Sequence, residues 1–376
     1  MSIMTGQPEL ENKPAIDNRM RFLRLLSSTE ERAYCVEYEF ASEVRITGEL
    51  HYSNDLILRL LTIEPNRDGL FKYTLSLSAP AEYSLPQYQA SKDGYYFEGG
   101  GSGEILSLAS LYLRCRFFPI AYISRGMSGP PTMKIEHDFS YVTPQKNADK
   151  ALFDASPRNF TALLNFFDEV KKLPEELHHR FANAVRLYAL ALREIGTNDQ
   201  IAYVHLVSAI EILSRYQILS AEQDSLQGAM DQIKNLLEKA TPEAKNDLSN
   251  LFDQRKTMMK FIRFITTHSS AVITERPKEG ALENKIYSDN LTVSLKKIYK
   301  GRSKFLHEGS PMYLSMPGVT ATGCDYDSSL GQTIDNREFD PEEKLPNISS
   351  FENIVRACLL EYLKKNVQLV SEKAAS

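Results

Sequence analysis

The repeat of the hydrophobic residues changes along this chain, and that change limits what it can fold into. Phe71, Tyr73, Leu75 and Leu77 alternate with Lys72, Thr74 and Ser76, the period-two pattern of a half-buried strand. Val44, Ile46, Leu50 and Tyr52 fall on even positions in the same strand-like texture, which runs from about Ala33 to Val142. Gly94–Phe97 and Met133–His137 read as two further strands. One segment, Ile105 to Cys115, is apolar on most faces of a helix and is expected to pack against the sheet. After residue 159 the spacing becomes helical and stays so. The polar, proline-bracketed stretch 143–158 lies between the two textures. The expected class is therefore α+β, with a flexible N-terminus (1–18), a strand-rich domain (19–145), a linker (146–158) and a helical domain (159–376).

The helical part reads as an ordered series. Phe160, Leu163, Leu164, Phe166 and Phe167 open a helix that Lys171 and Lys172 close before Pro174. Pro174, Glu175 and Glu176 start the next, because proline is tolerated at a helix start and acids suit its dipole. Thr197 or Asn198 caps a third, whose residues Ile201 to Leu213 are apolar nearly all round. Such a helix belongs at the centre of a bundle. It nevertheless carries His205, read as a core histidine, and Glu211, whose carboxylate needs solvent or a cation from another helix. Arg302 is one candidate for that cation. Helices follow over Leu226–Leu237 and Leu248–Ile265, then an irregular stretch 267–289. Asn290 caps a helix that Gly309 and Pro311 stop, residues 310–348 form a long loop, and Phe351 to Leu363 form a closing amphipathic helix.

Composition removes several classes of function. The net charge of −5 gives no global basic field, so any nucleic-acid contact must use a local patch. Cys35, Cys115, Cys324 and Cys358 are far apart and form no C-x-x-C pair, which fits neither a zinc site nor a disulfide scaffold. No signal-like or bilayer-spanning apolar run is present, and the expectation is a cytoplasmic protein with no membrane partner.

The local patch exists. Lys296, Lys297, Lys300, Arg302 and Lys304 place five cations in nine residues without an acid, and His307 follows. Arginine can hold a phosphate while imidazole moves a proton near neutral pH. The plainer reading is a basic helix end that interacts with the helix dipole. Other features carry less chemistry. Gly99–Gly103 lacks the Lys-Ser/Thr pair of a phosphate loop and reads as a turn. Arg114 and Arg116 read as snorkelling arginines at a helix end, and Asp325 and Asp327 as loop residues rather than metal ligands.

The order of helices, with Leu187–Glu194, Ala202–Leu213 and Tyr299-x-x-Arg302-Ser303-x-x-x-His307-x-Gly309, resembles the HEPN superfamily and in particular its Apea-like branch. The resemblance covers roughly residues 160–370 and implies an all-helical bundle with an inserted helical region. It also implies a homodimer and a metal-independent ribonuclease with an Arg-x(4–6)-His motif, using no cofactor and acting in bacterial abortive infection against phage. The bare motif occurs three times, as Arg45…His51, Arg263…His268 and Arg302…His307. The first lies among predicted strands. The second is helical, but Phe264 stands where the resemblance expects a polar residue, whereas Ser303 fits.

Positions five apart on a helix are separated by about 140°, so Arg302 and His307 do not share a face. Either the helix loosens near Gly309, or two protomers build one site. The expected roles are general acid/base catalysis for His307 and phosphate stabilisation for Arg302. Ser303 counts with them as catalytic and would orient the site, Tyr299 and Glu211 would support it, while Lys296, Lys297, Lys300 and Lys304 guide RNA, with tRNA one candidate. The strand-rich domain would sense a phage trigger or select RNA. The alternative is a non-catalytic HEPN module that binds nucleotide, RNA or a partner protein.

Overall fold

The computed structural model describes residues 32–53, 56–62, 64–66, 69–80, 100–126, 131–136, 158–215, 242–278, 285–314, 333–334, 337–338 and 343–375. The N-terminal part is a six-stranded antiparallel sheet in the order β3-β4-β5-β1-β6-β7. Its strands are β1 (Arg32–Ser42), β3 (Leu50–Ser53), β4 (Leu56–Leu60), β5 (Phe71–Pro80), β6 (Phe118–Gly126) and β7 (Pro131–Glu136). Helix α1 (Gly100–Leu113) joins β5 to β6. The alternation that marks β5 is the alternation that is buried: Tyr73, Leu75 and Leu77 face the core beside Leu56 and Leu58 of β4.

A two-residue parallel pairing of β2 (Ile46–Thr47) with β8 (Arg158–Asn159) brings the sheet to the start of the helices. Gly48 turns there with φ 74°, and a Cβ on it would lie 2.2 Å from Asn159 Oδ1, so only glycine fits without a shift. Asn159 in turn accepts from Thr161 N at 2.9 Å and caps a single 3₁₀ turn, Phe160–Ala162. Tyr73 packs edge-on against Phe160 at 5.5 Å, and its hydroxyl donates to Val44 O at 2.7 Å. The buried apolar cluster runs without a break from these strand residues into the helices.

The helical part contains α2 (Leu163–Lys171), α3 (Glu175–Glu194), α4 (Asp199–Ser214), α5 (Pro242–His268), α6 (Leu291–Glu308) and α7 (Ile348–Ala375). Helix α4 touches α3, α5, α6 and α7, the central place its apolar sequence calls for. Asn198 starts it, accepting from Ile201 N at 3.3 Å. The α+β class is thus present, with a sheet first and helices after. None of the helices among the described residues is long and apolar enough to cross a membrane.

Four expectations change. Gly100–Gly103 form the first turn of α1 rather than a free turn. Arg116 does not snorkel; at 4% exposure it pairs with Glu43 and donates to Ile195 O at 2.9 Å. Arg114, with φ 51°, donates to the fully buried Glu352 of α7, which also accepts from Tyr188 at 2.5 Å. A buried carboxylate with a guanidinium and a phenol on it is satisfied, and it ties α1 to α3 and α7. The Asn290 side chain makes no cap bond to α6; it accepts from Tyr287 N at 2.8 Å and donates to Lys285 O at 3.0 Å. Gly94–Phe97, Leu226–Leu237, Asp325 and Asp327 lie outside the described residues.

Candidate functional site on helix α6

Helix α6 is regular from Leu291 to Glu308 and ends at Gly309 in the left-handed conformation, φ 65°. The helix does not loosen before His307. Its inner face buries Leu291, Ser294, Leu295, Ile298 and Tyr299. At about 100° per residue, Arg302 falls on this inner side and His307 about 140° away.

The inner side settles what Glu211 does. Arg302 Nη2 donates to Glu211 Oε2 at 2.8 Å, with the side chains 18% and 19% exposed. Tyr299 lies beside the same carboxylate, and its ring packs on Phe261 at 5.4 Å. Burial, then the Glu211 charge beside it, holds the Tyr299 hydroxyl well above the usual phenol range. One carboxylate on an apolar helix is therefore matched by a guanidinium and a phenol from α6. The guanidinium Nε is buried without a hydrogen-bond partner. Arg302 is positioned, and its charge is largely offset.

The outer side is different. Val293, Lys296, Lys300 and His307 are exposed, and Lys297, Ser303 and Lys304 are part-exposed. These residues share one solvent-facing arc, with no acid between Leu291 and His307. Among the described residues, Lys296, Lys300 and His307 have no ion-pair partner. Lys304 alone is engaged, through Nζ to Glu343 Oε1 at 3.1 Å. Within one chain, then, Arg302 faces α4 and His307 faces solvent, and the two do not converge.

Two contacts here have no sequence signal. Glu343 reaches Lys304 from the stretch 343–347 ahead of α7. Leu345 of that stretch packs on Gly301, where an added Cβ would lie 3.4 Å from Leu345 Cδ2.

The other two Arg…His pairs are structural. His268 stacks on Phe264 at 4.3 Å, and its Nδ1 donates to Phe264 O at 2.8 Å. Burial, the largest influence, holds its pKa below the usual imidazole value. His51 lies on β3 and pairs with Glu49 at 3.1 Å, while Arg45 is exposed ahead of β2. His205 is half-buried on α4 with Nδ1 unpartnered, and burial followed by the Arg186 charge lowers its pKa.

An antiparallel sheet followed by an α-helical assembly, with an Arg–Glu–Tyr cluster beneath a basic helix face, is the class of protein that fold and site define. Comparison with protein-family models, curated proteins and solved structures returned no match.

Proposed function

We propose that the chain is a metal-independent endoribonuclease of the HEPN type, acting as a homodimer in bacterial anti-phage defence. The observation that carries the reading is the fixed Arg302, held by Glu211, followed on the same helix by an exposed His307 on an arc where the helix offers lysines and no acid. In the proposed reaction the RNA 2′-hydroxyl attacks the adjacent phosphate and the 5′-oxygen leaves. A base takes the 2′-hydroxyl proton and an acid gives one to the 5′-oxygen. The products are a 2′,3′-cyclic phosphate and a 5′-hydroxyl. His307 supplies the proton transfers. The Arg302 guanidinium, on a side chain 18% exposed, stabilises the extra phosphate charge, while Glu211 and Tyr299 hold it in place. Because the two side chains diverge within a chain, His307 of one protomer works with its two-fold mate across a shared groove.

The offset charge of Arg302 favours a second reading, an RNA-binding module that does not cut. Cleavage of cellular RNA in EDTA by wild type, His307→Ala and His268→Ala separates them. The expected result is loss of cleavage in His307→Ala and retention in His268→Ala. Activity that survives His307→Ala but not His268→Ala overturns the assignment, and binding without cleavage by the wild type selects the module.

A further inference from the structure

Resting on the RNA reading above, we infer that Glu343 is a built-in competitor for RNA: its carboxylate occupies Lys304 where a substrate phosphate would otherwise bind. The outer arc of α6 presents Lys296, Lys300, Lys304 and His307 at steps of three or four residues, about 6 Å along the axis for four. That is comparable to the step from one phosphate to the next along a nucleic-acid strand. Among the described residues no carboxylate pairs with Lys296 or Lys300, whereas Glu343 pairs with Lys304, one turn before His307.

The Glu343 contact is delivered by a fixed strap. Two residues on, Leu345 is 1% exposed against Gly301, and its N–H donates to Tyr313 O at 2.8 Å. Pro346 O accepts from the Tyr203 hydroxyl of α4. Asn347 Oδ1 then accepts from Ser349 N at 2.7 Å at the start of α7. Residues 345–347 are thus bound to α4, α6 and α7, and Glu343 is set beside Lys304 as a consequence. The pair itself stays within reach of solvent, at 44% and 38% exposure, so an incoming phosphate can exchange with the carboxylate. An anion on this lysine weakens backbone binding next to His307 and leaves Lys296 and Lys300 untouched.

The experiment measures binding of a short fluorescent oligouridylate over a range of salt concentrations, with His307→Ala as the common background to prevent cutting. Glu343→Gln should tighten binding about twofold to fivefold, the range of an exposed ion pair. It should also steepen the log–log salt slope by about 0.7, as for one more phosphate contact to a single strand. In a Lys304→Gln background the same change should have no effect. Equal tightening with and without Lys304 would mean a general loss of negative charge, and would overturn the inference. So would unchanged binding in Glu343→Gln while Lys300→Gln weakens it. If no variant, nor the parent, binds the probe, the RNA reading itself fails. Far-ultraviolet circular dichroism confirms that each variant is folded.

Discussion

Glu211 and Arg302, 91 positions apart, meet at 2.8 Å where α4 crosses α6, and Tyr299 closes on the same carboxylate. Glu211→Ala takes the acceptor from the Arg302 guanidinium and the neighbouring charge from the Tyr299 phenol in a partly buried site. The expected loss is about 1–3 kcal/mol of unfolding free energy. Tyr299→Phe should cost about 1 kcal/mol alone and less in the Glu211→Ala background, because the two act on one carboxylate. Urea unfolding of the two single variants and the double variant reads both numbers.

Glu352 makes a deeper tie. It is 0% exposed and accepts from Arg114 and Tyr188, so Glu352→Ala takes the acceptor from the fully buried Tyr188 phenol and one partner from the Arg114 guanidinium, whose side chain is 24% exposed. A loss of about 2–4 kcal/mol is expected, above that for Glu211→Ala because the carboxylate and the phenol are fully buried. Chemical denaturation measures it, and a loss below 1 kcal/mol would contradict the packing.

The pH response at the alkaline end follows from the tyrosines. Burial raises the phenols of Tyr52, Tyr73, Tyr188, Tyr203, Tyr299 and Tyr362, in each case as the largest cause. Above the ordinary phenol pKa the unfolded chain gives up these protons while the folded chain keeps them. The unfolded state then binds fewer protons, so stability falls as pH rises past about 10. A spectrophotometric titration should show these six phenols ionising together with unfolding.

Acid has its own signature at His268. Its folded pKa is depressed, so its contribution is complete above the unfolded value near 6.5 and is lost as pH falls through the folded value. An NMR titration should find the His268 imidazole neutral at pH 7, and His268→Gln should lower stability without abolishing RNA cleavage.

Gly301 offers the opposite kind of test. A methyl group there meets Leu345 at ordinary contact distance, and alanine is about 1 kcal/mol better than glycine inside a helix. Gly301→Ala should therefore keep or raise the melting temperature. Gly301→Phe should displace Leu345 and expose the strap to limited proteolysis.

How much could be read beforehand depended on how local the cause was. The alternation at Phe71–Leu77 and the apolar circuit of Ile201–Leu213 carry their own periods, and both elements form where those periods place them. Glu211 announced a need for a cation because its neighbours on α4 are apolar, and Arg302 was legible as the answer. Gly309 stopped α6 as a left-handed residue should. Failures came where a distant partner decides. Arg116 resembles any exposed helix-end arginine until Glu43 and Ile195 surround it. Asn290 is a good cap residue drawn away by Lys285 and Tyr287. Lys304 gives no hint of Glu343, 39 positions later, and Gly301 none of Leu345.

The placement of α7 has a consequence for synthesis on the ribosome. Phe351 stacks on Tyr203 at 5.8 Å, Glu352 anchors Arg114, and Arg356 donates to the carbonyls of Leu111 and Tyr112. Sheet, α1 and α4 all exist in the nascent chain before these partners emerge. Their apolar faces must wait until α7 emerges, and the strap that seats Glu343 is made only after α6 and Tyr313, the parts it docks on. A growing chain therefore carries α6 before Glu343 exists to pair with Lys304, and the order of synthesis sets when that ion pair can form.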